Sequence, residues 1–183
     1  MIAPIDVTGV RIETDRLILR PWRESDLRDL YRYARDPDVG RMAGWRPHES
    51  IYESEVILSM FIRDKKTLAL ELKETGHVIG SLGLEEMDPD PEADEKLGRE
   101  IGYVLAKKYW GRGLMPEAVE AVKDYCFRVL GYDYLTCGHF LWNDRSRRVI
   151  EKAGFHCFGE SPYKTRFDTV EVSKNYVLYN PHK

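Results

Sequence analysis

The stretch KKYWGRGLMPEA, residues 107–118, constrains the fold of this chain more than any other. It follows REIGYVLA, which predicts a strand, and it precedes apolar residues at helical spacing. Gly111 and Gly113 therefore lie in a turn from strand to helix, where glycine permits a positive φ and a close approach of the backbone. Because the first N–H groups of a helix have no partner within it, such a turn can bind a phosphate or pyrophosphate group.

Two common phosphate-binding patterns do not occur at this turn. G-x-x-x-x-G-K-[ST] is absent, and Pro116 stands where G-x-G-x-x-G requires its third glycine. Pro116 instead suits the first turn of a helix, since its missing N–H would have no partner there. On the glycines alone, a tight turn that binds no ligand is an equal alternative.

The remaining periodicity predicts one α/β domain with a mixed sheet and no internal repeat or linker. Helices are predicted from Leu27 to a stop at Pro37, and from a capping box at Ser50 and Glu53 with Ile57, Met60 and Phe61 on one face. Two further helices are predicted over residues 118–130 and 144–153. Strands are predicted over residues 16–22, 68–72, 78–84, 99–106, 134–140, 155–160 and 170–179.

Composition narrows the class of protein. The net charge of −3 argues against direct binding of nucleic acid, and no apolar run approaches the roughly 20 residues of a membrane helix. The three cysteines lack CxxC spacing, the five histidines form no HxH or HExxH set, and no secretory signal is visible. We therefore expect a cytoplasmic protein without a metal site.

The segment EEMDPDPEADE, residues 85–95, holds seven carboxylates and two prolines. Such a segment is incompatible with a core strand and predicts a solvated loop. A loop of this charge would suit a cationic ligand, although a solvated loop needs no such purpose.

Three blocks of the chain resemble the GNAT superfamily of N-acetyltransferases, most closely its ribosomal-protein N-terminal acetyltransferases: RLILRPW, REIGYVLAKKYWGRGLMPEA and NDRSRRVIEKAGF. The resemblance covers residues 11–179 and implies one N-acetyltransferase domain over residues 1–183. The implied fold is a mixed, mostly antiparallel sheet of about seven strands with about four helices. The implied activity is direct transfer of acetyl from acetyl-CoA to a primary amine.

In that family the glycine turn holds the pyrophosphate of acetyl-CoA, with the pattern Q/R-x-x-G-x-G/A. The pattern starts here at Trp110 and ends at Met115, and both residues depart from it. Backbone N–H groups do most of the binding, so these side chains are tolerable. The resemblance implies that the cofactor contacts Tyr103, Val104, Leu105, Trp110, Gly111, Arg112, Gly113, Leu114, Met115 and Asn143. Arg112 either contacts a phosphate or is solvated, and Asn143 either bonds the pantetheine or only caps its helix.

The resemblance also suggests two catalytic residues. Glu100 lies on the strand before the turn, where related enzymes use a glutamate as a base through water; it is equally explained as a structural carboxylate. Many relatives carry a tyrosine that protonates the CoA thiolate, but Ile150 occupies that position here. Ser146, one helical turn earlier, is the substitute in the ribosomal branch, or else an ordinary first-turn serine. A backbone N–H near Val104 or Leu105 would stabilise the oxyanion.

The sequence does not identify the amine that accepts the acetyl group. A protein N-terminal α-amine is the leading interpretation, and a small amine such as an antibiotic, polyamine or amino acid is the second. A CoA-binding sensor without activity is the third, since the tyrosine is missing. The chain is expected to be a monomer or a homodimer.

Overall fold

The computed structural model describes residues 1–86 and 95–183. Within them, eight strands form one sheet and five α-helices cover it. In chain order the strands are β1 (Ile12–Glu13), β2 (Leu17–Pro21), β3 (Thr67–Leu72), β4 (Val78–Glu85), β5 (Gly98–Leu105), β6 (Tyr134–Phe140), β7 (His156–Lys164) and β8 (Val170–Tyr179). The helices are α1 (Leu27–Ala34), α2 (Pro37–Ala43), α3 (Ile51–Asp64), α4 (Leu114–Asp124) and α5 (Asp144–Lys152).

The sheet has the order β1-β2-β3-β4-β5-β6-β8-β7. Among the described strands, β5 and β6 are parallel and every other neighbouring pair is antiparallel. This architecture confirms the predicted α/β fold with a mixed, mostly antiparallel sheet. The two elements that the sequence did not predict are β1, which has two residues, and α2.

Helix α2 was missed because one proline has two roles. Pro37 does end the preceding helix, as predicted, but it also occupies the first turn of α2. Asp36 caps the new helix by accepting a hydrogen bond from the Asp38 N–H at 3.0 Å. A stop signal and a start signal thus coincide at the same residue.

Three local predictions need correction. Ser50 caps α3 as expected, but Glu53 reaches the N–H of Glu49 rather than that of Ser50, and Met60 is exposed while Leu58 is buried. Helix α4 begins at Leu114, earlier than predicted, and winds into a π-helical turn at Tyr125–Val129.

The acidic segment, residues 85–95, begins on a strand. Glu85 is the last residue of β4, so the assignment of this residue to a loop was wrong. Residues 87–94, the rest of that prediction, lie outside the described residues.

The core has one layer on each face of the sheet. Helices α4 and α5 pack on one face through residues that include Ile101, Val119 and Ile150. Helices α1, α2 and α3 pack on the other through residues that include Leu30, Val39 and Leu58. Residues of β5 alternate between these two layers, because successive strand side chains point to opposite faces. None of the described helices has the length and apolarity to cross a bilayer.

Strands β5 and β6 separate part of the way along their length. Their pairing runs from Gly98 opposite Tyr134 to Ile101 opposite Cys137, and no further. Beyond that point β5 is paired only with β4, and β6 only with β8. The sheet therefore opens between the last four residues of β5 and the last three of β6.

Candidate active site

The opening between β5 and β6 is the base of a cavity of about 500 Å³. Elements from both layers line it, including α2, the turn before α4, and the start of α5. Every residue that the sequence suggested for catalysis or cofactor binding lines this cavity, except Arg112. In the described part of the chain, no three His, Cys, Asp or Glu side chains are grouped to hold a metal ion.

The glycine turn has the predicted backbone conformation. Gly111 and Gly113 have φ of 73° and 75°, and Gly113 is the N-cap of α4. A Cβ at Gly111 would meet nothing within 4 Å, so glycine is needed there for its conformation and not for space. The N–H groups of residues 111–115 have no acceptor among the described residues. The turn therefore presents a row of donors at the positive end of a helix dipole.

A pair of charged side chains holds this turn from outside. Arg16 donates to the carbonyl of Arg112 at 2.8 Å and to Oε2 of Glu117 at 2.7 Å. Thr14 donates to Oε1 of the same carboxylate at 2.6 Å. Burial alone would raise the pKa of Glu117, but the hydrogen bonds from Thr14 and Arg16 lower it below its usual value. We call the pair of Arg16 and Glu117 the brace. It holds the side of the turn that faces away from the cavity, and it leaves the N–H groups of the turn available on the cavity side.

Trp110 stands where the family pattern has glutamine or arginine, and its side chain links the turn to β5. Its indole N–H donates to the Leu105 carbonyl at 2.7 Å, which joins the turn to the end of β5. The guanidinium of Arg145 lies 4.9 Å from the centre of the Trp110 ring. Arg145, which the sequence did not single out, is thereby held at the edge of the cavity.

Arg112 lies apart from the cavity. Its guanidinium packs 5.5 Å from the centre of the Tyr109 ring, and the residue is exposed. Three cationic residues of α5 line the cavity instead: Arg145, Arg148 and Lys152.

The backbone of β5 is also directed into the opening. The Leu105 carbonyl accepts the Trp110 indole on the side away from β4, and the N–H and C=O of one strand residue point the same way. By alternation, the N–H groups of Tyr103 and Leu105 face the opening, while that of Val104 faces β4. Of the two oxyanion donors suggested by the sequence, Leu105 is thus the better placed.

Two carboxylates meet on the α2 side of β5, which is the face that carries Glu100 and Val104. Glu100 is opposite Glu85 across the antiparallel pair, and both line the cavity. Glu85 forms an ion pair with Lys66 at 2.5 Å. A Cβ on Gly102 would touch only the Glu85 side chain, at 3.8 Å, so space is open above this residue. The sequence missed Glu85 because its acidic neighbours indicated a loop.

Cys137 of β6 is opposite Ile101 of β5 and belongs to the core layer on the face that carries Tyr103. Burial raises the pKa of the thiol far above its usual range, and the charge of Glu100 raises it further. Cys137 is therefore a neutral apolar group of the cavity floor and not a nucleophile.

The α5 side of β5, which carries Tyr103, has a different chemistry. Asn143 caps α5 by accepting the Ser146 N–H at 3.2 Å, and it donates to the Met42 carbonyl at 3.3 Å. The Ser146 Oγ is 2.8 Å from the Tyr103 hydroxyl. Ser146 thus has a hydroxyl partner that the sequence did not suggest, although strand alternation does place Tyr103 on the face opposite Glu100.

The side chain of His139, on β6, is occupied by structural contacts. It is buried, with Nδ1 2.7 Å from the Phe140 carbonyl and Nε2 3.2 Å from the Tyr176 hydroxyl. These contacts hold the imidazole ring against Phe140 of β6 and Tyr176 of β8.

The model of the acetyltransferase (GNAT) domain family matches residues 16–156. The chain therefore belongs to the GNAT acetyltransferases, as its sequence blocks indicated. It is an N-acetyltransferase, and its family uses acetyl-CoA as cosubstrate.

Individual relatives agree with this assignment. An uncharacterised N-acetyltransferase, p20 of Bacillus licheniformis, is 32% identical over 149 residues, which cover 78% of this chain and 80% of that protein. A GNAT-family acetyltransferase from Bacillus anthracis shares the fold with a TM-score of 0.79 at 20% identity, over 93% of this chain and 99% of that one. The ribosomal-protein-S5-alanine acetyltransferase of Vibrio fischeri has a TM-score of 0.73 at 19% identity, over 94% and 98%.

Proposed function

We propose that this chain transfers acetyl from acetyl-CoA to the α-amine of a protein N-terminus, with residues 1–183 acting as one domain. The observation that carries the proposal is the opening between β5 and β6. It joins the unpaired N–H groups of residues 111–115 to Glu100 through one continuous cavity.

The cavity offers a place for each part of the cosubstrate. The N–H row at the turn suits the pyrophosphate, since oriented donors and a helix dipole both favour an anion. The free edge of β5 at Tyr103 and Leu105 suits the amides of the pantetheine arm, in the manner of an added strand. The acetyl group would then lie where β5 and β6 part, beside Glu100 and Ser146.

The chemistry needs a neutral amine, a stabilised oxyanion and a released thiolate. An α-amine has a pKa of roughly 8, so a carboxylate such as Glu100 acting through water can remove its proton. The N–H of Leu105 is the candidate donor for the oxyanion. Ser146 donates a hydrogen bond to sulfur as the carbon–sulfur bond breaks, and the sulfur keeps the electron pair.

Two features support an N-terminal α-amine as the acceptor. Glu85 and Glu100 give the α2 side of β5 the negative charge that attracts a cationic amine. The likeness of the fold to the ribosomal-protein-S5-alanine acetyltransferase supports placement in the ribosomal-protein branch. A polyamine would satisfy the same two carboxylates, so the experiment must separate these acceptors.

Thiol release from acetyl-CoA should be measured with peptides that begin with alanine or serine. The matched control is the same peptide with its N-terminus already acetylated and one internal lysine free. Spermidine and an aminoglycoside form the small-amine arm. Faster release with the free N-terminus than with either other arm is expected; faster release with a small amine would overturn the acceptor, and none with any amine would favour a CoA-binding sensor.

A further inference from the structure

The position of the usual acid in this family is apolar here. Ile150 is 1% exposed and packs in the layer beneath the sheet, so no hydroxyl reaches the cavity from that position. Ser146 is the nearest hydroxyl on α5 that lines the cavity. A serine hydroxyl alone is a poorly directed donor, because its hydrogen rotates freely to any acceptor.

The Tyr103 phenol restricts the rotation of the Ser146 hydroxyl. Its oxygen is 2.8 Å from the Ser146 Oγ and 3.3 Å from the Ser146 carbonyl oxygen. The 2.8 Å distance lets either hydroxyl donate. Because a phenol is a stronger acid than an aliphatic alcohol, we assign the phenol as the donor to the Ser146 oxygen. The hydrogen of Ser146 is then left to point into the cavity.

We propose that Tyr103 is a positioning residue that acts through Ser146, and that the two hydroxyls in series donate one directed hydrogen bond to the thiolate of coenzyme A as it leaves. This inference rests on the proposed function. Tyr103 lies on the α5 side of β5 and Glu100 on the α2 side, so one strand places the base and the thiolate donor on its two faces.

The pair stabilises the sulfur by hydrogen bonding and not by giving up a proton. Burial raises the pKa of the Tyr103 phenol well above its usual value, which keeps it protonated. A thiol has a pKa of about 8.5, so the thiolate is a tolerable leaving group without full protonation. The sulfur keeps the electron pair of the broken bond, and the proton lost by the amine goes to Glu100 and then to water.

The direct test needs no acceptor amine. The ultraviolet absorbance of the thiolate, followed against pH in the complex with coenzyme A, gives the pKa of the bound thiol. Because a hydrogen bond to the charged form lowers a pKa, the bound thiol should titrate about one pH unit lower in the wild type than in Tyr103→Phe or Ser146→Ala. Equal pKa values in wild type and Tyr103→Phe would overturn the proposal.

Kinetics provide the second test. Tyr103→Phe and Ser146→Ala should each lower kcat about tenfold, with the Kd of acetyl-CoA changed less than twofold. This loss is smaller than the roughly 10²–10⁴-fold of general acid–base catalysis, because the pair transfers no proton. The double variant should be no slower than Ser146→Ala alone, since Tyr103 acts through Ser146. Additive losses, or a loss that appears only in Kd, would contradict the proposal.

Tyr132→Phe is the matched control for the loss of a phenol hydroxyl. Its hydroxyl donates to the Pro4 carbonyl at 2.7 Å, away from the cavity, so the variant should change neither kcat nor the thiol pKa. If the wild type transfers acetyl and Tyr103→Phe has the same kcat and the same thiol pKa as the wild type, this inference alone is contradicted. A wild type with no transfer to any amine, but with the lowered thiol pKa, would count against the proposed function alone.

Discussion

The glycine turn and the α2 side of β5 build the site in different ways. At the turn, the groups available for binding are mainly backbone N–H donors around Gly111 and Gly113, and their arrangement follows from local conformation. On the α2 side, the site depends on side chains that separate strands bring together, such as Glu85 and Glu100. Local conformation can be inferred from glycine and proline in a sequence, whereas the meeting of two strands cannot. The comparison predicts that changes on the α2 side affect rate, and changes at the turn affect cofactor affinity.

The largest expected effect is on the α2 side. Glu100→Gln keeps the shape of the side chain and removes the base, so kcat/KM should fall by about 10² or more, the usual range for a general base. The Kd of acetyl-CoA, measured by calorimetry, should change less than twofold.

Glu85→Gln is the comparison variant for this result, because it removes a charge from the same face. It should raise KM for a cationic acceptor while leaving kcat within threefold. If Glu100→Gln and the wild type have the same pH–rate profile, then Glu100 is a structural carboxylate and not the base.

The second effect belongs to the turn. Gly113 has a left-handed backbone, which costs an L-residue about 1–2 kcal/mol, and a β-branched residue tolerates it least. Gly113→Val should therefore displace the N–H row and raise the Kd of acetyl-CoA by about 10-fold or more. The melting temperature should fall little, since the turn is exposed.

Gly113→Asn separates backbone conformation from side-chain bulk. Asparagine adopts positive φ more readily than other residues with a Cβ, and its Cβ would meet only the Arg16 guanidinium, at 3.5 Å. It should therefore raise Kd about threefold or less. If asparagine and valine weaken binding equally, then bulk and not conformation matters at this position.

The sequence was most informative where chain geometry is local. The strand before the turn and the two glycines were predicted in place, the helix after them was predicted with a later start, and Asn143 was foreseen as a possible helix cap. Helix α2 was hidden by the double role of Pro37.

What the sequence did not reveal depends on tertiary contacts. The Tyr103 hydroxyl meets Ser146 across 43 positions of sequence, and Arg16 meets Glu117 across 101. No spacing rule links such pairs, because helices and strands relate only near neighbours in sequence. Trp110 shows the converse: it departs from the family pattern, yet its indole ties the turn to β5.

The smallest effect concerns the brace formed by Arg16 and Glu117. Arg16→Gln removes the donor to the Arg112 carbonyl and the charge opposite Glu117, so the turn should hold its N–H row less firmly. The Arg16 side chain is 45% exposed, and an exposed ion pair contributes about 0–1 kcal/mol. The Kd of acetyl-CoA should therefore rise no more than about fivefold, with kcat unchanged.

Arg20→Gln is the control, since it alters an arginine only four positions away. Arg20 is buried and donates to both oxygens of Asp26 at 2.9 Å, and to Glu71 at 2.6 Å. Breaking this buried network leaves carboxylates unpaired and should cost about 3–5 kcal/mol of unfolding free energy, measured by urea denaturation. Because the network does not touch the turn, the molecules that remain folded should bind acetyl-CoA as the wild type does. If Arg16→Gln lowers stability as much as Arg20→Gln does, then the brace holds the fold and not the cofactor turn.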